Sequence, residues 1–138
     1  MKNINRRDFV NQGGKAIAAA GIVGLAPKNF RNDKSMLNSF VHHVFFWLKE
    51  PENRESVKKF EAALKELVTI ESIQHFHLGK PAETRREIID SSYHYSLLVF
   101  FEDKKSHDIY QEHPKHDIFR KVNGELSAKV LIYDSIAI

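Results

Sequence analysis

The run FVHHVFFWL, residues 40–48, is apolar or aromatic at almost every position. Its β-branched and aromatic side chains predict a strand. Downstream the period changes. Val57, Phe60, Leu64 and Leu67 recur at helical spacing, with lysine and glutamate between them. Pro51 stands ahead of them, where its fixed φ and missing N–H suit a first helical turn. SIQHFHL, residues 72–78, predicts a second strand, closed by Gly79 and Pro81. Residues 80–92 are polar, include Arg85 and Arg86, and predict a loop. YHYSLLVFFE, residues 93–102, predicts a third strand. Residues 104–113 predict a short helix that Pro114 ends by removing a backbone donor. A further helical stretch is expected from His116 to about Leu126, and KVLIYDSIAI, residues 129–138, as the last strand. The order β-α-β-β-α-β predicts an α+β, ferredoxin-like fold with a four-stranded antiparallel sheet.

The strands are apolar on both faces. In the first, His42, Val44, Phe46 and Leu48 share one face, and Val41, His43, Phe45 and Trp47 the other. In the third, Leu97, Val99 and Phe101 lie opposite Leu98 and Phe100. An antiparallel sheet with one face in water alternates apolar and polar residues instead. The helices can cover one face only. Leaving the other in water forgoes about 1.5–3 kcal/mol per large side chain. A homodimer joined through that second face is the expected remedy.

The N-terminus carries a different pattern. Arg6 and Arg7 precede Phe9 and an uncharged run from Ala16 to Ala26. That run is shorter than the roughly 20 residues a membrane-spanning helix needs, and suits the apolar region of an export signal. It resembles a twin-arginine signal over residues 1–26, followed by a polar linker over residues 27–39 and a domain over residues 40–138. The expected location is periplasmic, or otherwise exported by that route. The alternative is a short N-terminal helix of the folded domain. The whole chain has 21 Lys+Arg and 18 Asp+Glu. Residues 1–26 hold Lys2, Arg6, Arg7 and Lys15 against Asp8, so the remainder balances at 17 against 17. A near-neutral domain without basic runs is not built to hold phosphate backbones, so no nucleic-acid partner is expected. No membrane association is expected once the signal is removed. Zero cysteines exclude disulfides and thiol catalysis.

Candidate chemistry concentrates in YQEHPKH, residues 110–116, which holds one tyrosine and two histidines around Pro114. The chain has eight histidines. His75 and His77 are spaced to face one side of a strand, and His113 and His116 are three apart. Neither pair forms the helical HExxH signature, and no cysteine supports a structural zinc. No bound metal, haem or other cofactor is therefore expected.

The first strand, the Tyr–x–x–His–Pro–x–His run and the closing strand together resemble the stress-responsive A/B barrel (Dabb) family of the dimeric α/β barrel superfamily. The resemblance spans about Phe40 to Ile138. It implies a homodimer whose two sheets form a central barrel with the helices outside. It does not fix a reaction. A plant polyketide cyclase of this fold uses histidine–tyrosine acid–base chemistry. Its pattern falls here on His42, Tyr110 and His116, with His43 adjacent to the first. Trp47 stands where many members carry lysine. Phe46, Tyr95 and His113 are expected as ligand contacts, although His113 beside Pro114 reads better as a cap than as a catalyst.

Such chemistry needs a base for an acidic C–H and a donor for the developing oxyanion. Histidine titrates near neutral pH and can be the base; a tyrosine hydroxyl can be the donor. Each residue also has an architectural reading. His42 would be a satisfied core histidine, Tyr110 a packed core residue, and His116 a helix-start residue bonded to a backbone carbonyl. Two functions stay open: a dimeric module binding an apolar small molecule or a partner protein, and a cofactor-independent acid–base enzyme acting on a hydrophobic carbonyl compound.

Overall fold

The structure, a computed structural model, describes residues 39–138. The expected export segment, and all of the linker except the buried Ser39, lie outside the described residues. Strand β1 spans Phe40–Leu48, helix α1 Arg54–Leu67, β2 His75–Gly79 and β3 Tyr95–Phe101. Helix α2 spans Lys104–Gln111, α3 Pro114–Leu126 and β4 Ser127–Ile136. The sheet order is β2-β3-β1-β4, and every neighbouring pair is antiparallel. This is the ferredoxin-like plan, with the helix after β3 broken in two.

Each helix starts on a residue whose side chain supplies the acceptor that a first turn lacks. Asn53 Oδ1 accepts from the amides of Glu55 and Ser56 at 3.1 and 3.2 Å. Asp103 Oδ1 accepts from Ser106 N at 2.8 Å. Pro51 is therefore not in the first turn, as expected, but in the turn before it. The second strand begins at His75, three residues later than expected, because Ser72 to Gln74 complete the turn out of α1.

The core lies between the helices and one sheet face. Phe60, Leu64 and Leu67 of α1 are buried, as their spacing predicted. They meet Val44, Phe46 and Leu48 of β1 and Leu97, Val99 and Phe101 of β3. Phe46, Phe60 and Phe119 pack as an aromatic triangle with centroids 5.3–6.0 Å apart. The opposite face carries Val41, His43, Phe45 and Trp47 beside Leu98 and Phe100, all half-buried. No helix described here crosses that face. Burial in β1 alternates strictly from Val41 to Leu48, although the sequence itself does not alternate.

Candidate functional site

His42 sits in the middle of the sheet. On β1 it pairs with Val99 of β3 on one side and Asp134 of β4 on the other. Residues opposite one another in an antiparallel pair point to the same face. Asp134 is thereby placed against the imidazole, and His42 Nδ1 lies 2.6 Å from Asp134 Oδ1. With the carboxylate ionised, Nδ1–H is the donor and Nε2 keeps its lone pair. His42 is 3% exposed. Burial lowers its pKa below the ordinary histidine value, opposed by the hydrogen bond and charge of Asp134.

Tyr110 ends α2 as the largest fully buried side chain described. Its ring centroid lies 5.9 Å from that of His42, 5.1 Å from Phe101 and 4.6 Å from His116. Burial raises its pKa above the ordinary tyrosine value, so the phenol stays protonated. His116 occupies the first turn of α3. Burial, and next the positive charge of Arg120, lower its pKa to about 4. Its Nδ1 is buried without a hydrogen-bond partner, so the expected bond to a backbone carbonyl is not made there. At neutral pH this corner holds neutral imidazoles and a neutral phenol.

The bend between α2 and α3 is made by local chemistry. Pro114 is at the helix start, where no amide is needed, so α3 begins two residues before His116. His113 is its N-cap: Nδ1 accepts from Lys115 N at 3.1 Å. Arg120 Nη2 donates to Gln111 O at 2.7 Å and ties the two helices together. The bend turns His116 back onto Tyr110.

His42, Tyr110 and His116 line one cavity of about 180 Å³, with Val44, Phe46 and Phe119 among its apolar walls. The residues singled out in the sequence are therefore gathered as expected in four cases, and not in two. His113 is the cap rather than a wall. Tyr95 belongs to another cavity, of about 300 Å³, between α1 and the β2–β3 side of the sheet. That second cavity is larger, but its polar groups satisfy one another. Tyr95 Oη donates to Glu61 Oε1 at 2.6 Å, and Lys80 Nζ lies 3.0 Å from the same atom. The smaller cavity is lined by His42, Tyr110 and His116 together, and we take it as the candidate site.

Two further residues belong to the neighbourhood and were not anticipated. Asp134 backs His42 from 92 positions away, a contact only the strand register reveals. His107 of α2 stands with its ring centroid 5.0 Å from that of His42 and 4.5 Å from that of Phe40. Nothing in the short helical stretch KKSHDIY distinguishes it from a surface histidine.

The pattern of the Stress responsive A/B Barrel Domain (Dabb) matches residues 40–137. The chain belongs to the Dabb family. Its solved relatives agree. A Dabb-family protein with a ferredoxin-like fold from Mesorhizobium loti is 27% identical, with a TM-score of 0.61 over 73% of this chain and 98% of that one. An Arabidopsis thaliana protein is 25% identical, with a TM-score of 0.60 over 72% and 95%. A dimeric ferredoxin-like protein of unknown function from Thermobifida fusca shares the fold at 15% identity, with a TM-score of 0.57 over 72% and 92%. No curated protein matches the chain.

Proposed function

We propose that this protein is an exported, homodimeric Dabb domain that binds a small hydrophobic molecule carrying one polar group. The observation behind the reading is the cavity itself. Val44, Phe46 and Phe119 offer apolar contact, while His42, Tyr110 and His116 offer polar contact. Pockets of this make-up bind by apolar burial and orient the ligand through a few polar groups. A volume of about 180 Å³ is below the roughly 300 Å³ at which drug-sized pockets begin, which favours a small ligand. Dimerisation is supported by the uncovered apolar sheet face and by the dimeric assembly of the Thermobifida relative. Export is supported by Arg6 and Arg7 before the uncharged run.

The test is native mass spectrometry of the protein isolated from its own compartment, followed by titration of whatever small molecule is released. Tyr110→Phe and His116→Ala should weaken that binding while Tyr95→Phe leaves it unchanged. Equal effects at Tyr95 and Tyr110 would move the site elsewhere. For export, Arg6→Lys with Arg7→Lys should hold the precursor in the cytoplasm; normal export of that variant removes the twin-arginine reading.

A second reading is favoured by one contact, the 2.6 Å pair of His42 and Asp134. A carboxylate behind an imidazole fixes the tautomer and stabilises the cation formed when the other nitrogen takes a proton. His42 then serves as the base, and protonated Tyr110 as the donor to an enolate oxygen. Exchange of the C–H next to the carbonyl of a small apolar ketone with solvent deuterium reports on this directly. Exchange above the buffer rate, lost in Asp134→Asn and Tyr110→Phe, is the expected result. Exchange at the buffer rate with every bound ketone would leave the binding function alone.

A further inference from the structure

We propose that His42 of β1, His107 of α2 and Asp134 of β4 form a binding site for a divalent transition-metal ion. One ligand atom from each residue lies within 4.8 Å of the others. Among them, His42 Nδ1 and Asp134 Oδ1 are already 2.6 Å apart. The two imidazole rings stand 5.0 Å apart between centroids, tilted by 51°. His107 adds an independent observation. It is buried, and its Nδ1 has no hydrogen-bond partner, with the Asp108 carboxylate 3.6 Å away and beyond hydrogen-bond reach. Its Nε2 has only the side-chain nitrogen of Gln111, at 3.1 Å. A buried ring nitrogen without a hydrogen bond is destabilising. Metal ligation removes that cost once the ring turns to present it.

The geometry needs a modest adjustment. Bonds of about 2.0–2.2 Å put the ligand atoms of a tetrahedral ion roughly 3.3 Å apart. The widest separation must therefore contract, and the His42–Asp134 contact must open as the ion replaces their shared proton. Asp134 is the residue free to move, since its side chain is 44% exposed on the edge strand. Two imidazoles and one carboxylate suit zinc or ferrous iron. Calcium and magnesium prefer oxygen ligands alone. Three protein ligands leave a coordination position for water or another molecule, as in catalytic rather than structural zinc sites. His42 also lines the cavity, so the ion borders the space proposed for the ligand.

The proposal does not depend on Tyr110 or His116, so its test separates from that of the ligand reading. The probe is zinc alone, titrated calorimetrically into the chelator-stripped full chain, with cobalt as a spectroscopic substitute. Saturation at one zinc per chain is expected. Asp134→Asn and His107→Gln should each weaken it by more than about tenfold. The visible absorption of the cobalt form should fall with them. His75→Ala with His77→Ala should leave affinity within about twofold, because that strand pair is the competing surface site. Should His107→Gln fail to fold, the half-exposed Asp134→Asn carries the comparison alone. Absence of zinc binding overturns the proposal. So does binding that survives Asp134→Asn and disappears in the His75/His77 variant.

Discussion

His116 and His42 are buried imidazoles whose pKa values are both lowered, with desolvation the largest cause in each. His42 has a hydrogen-bonded carboxylate, Asp134, to offset it, while His116 has only the weaker charge of Asp117. His116 also has Arg120, whose charge lowers it further, to about 4. The sign of the pH effect follows. Between about pH 4 and 6.5 the unfolded chain binds a proton at His116 that the folded domain does not. This contribution of His116 to stability is present above about pH 6.5 and is lost as pH falls towards 4. His42 contributes in the same direction. Urea unfolding at pH 7 and pH 5 should show a drop in the wild type that is clearly smaller in His116→Gln. Parallel losses in both proteins would mean that His116 is solvated. At neutral pH the same variant should lose little stability, because the nitrogen it removes has no partner to strand.

At the scale of elements, the bend between α2 and α3 sets the site. His113 caps α3 through Nδ1, and Pro114 begins it. Replacing His113 with alanine should cost about 0.5–2 kcal/mol, the usual loss for an N-cap. Ligand affinity should persist, because His113 is not part of the cavity wall. A thermal melt paired with a binding isotherm checks both halves; loss of binding at unchanged stability would return His113 to the site. The contrast explains what the sequence made legible. Strand β1, the helical spacing of Val57 to Leu67, and the Pro114 break are local signals, and each appears where expected. The placing of His42, Tyr110, His116 and Phe46 around one cavity was also readable, through the resemblance that tied the first strand to the HPxH run. Tyr95 shares the strand face of the site, but on β3 it opens towards α1 and β2 and lines the other cavity. It stands opposite Phe46, beyond Val99, and so at the α1 end of the sheet. Asp134 and His107 were invisible because their meaning lies in β4 register and in helix docking. Neither leaves a spacing along the chain.

At the scale of the whole molecule, the described residues leave one face of the sheet without a covering layer. The helices bury one sheet face, and the other presents an aromatic set packed tilted or edge to face. Phe45 lies 4.2 Å from His43, 4.9 Å from Tyr93 and 6.3 Å from Tyr133, between centroids. Tyr133 is 59% exposed there, which a partner sheet would correct. Burial also lowers the pKa of His43, and next the charge of His77, so the His43 imidazole is neutral at neutral pH. Two such faces packed together would form a closed, largely aromatic barrel core, with Lys129 held over the Trp47 ring at its end. Sedimentation at micromolar concentration should therefore give twice the chain mass. Phe45→Glu should precipitate or unfold the domain, because a buried unpaired charge costs far more than the lost packing. Tyr133→Glu is the sharper probe, since the exposed side chain contributes little to the fold of one chain. It should yield a folded monomer with near-native circular dichroism. A wild type that sediments as a stable monomer would mean that the aromatic face is tolerated in water. A Tyr133→Glu variant that remains dimeric would instead place the contact on a different surface.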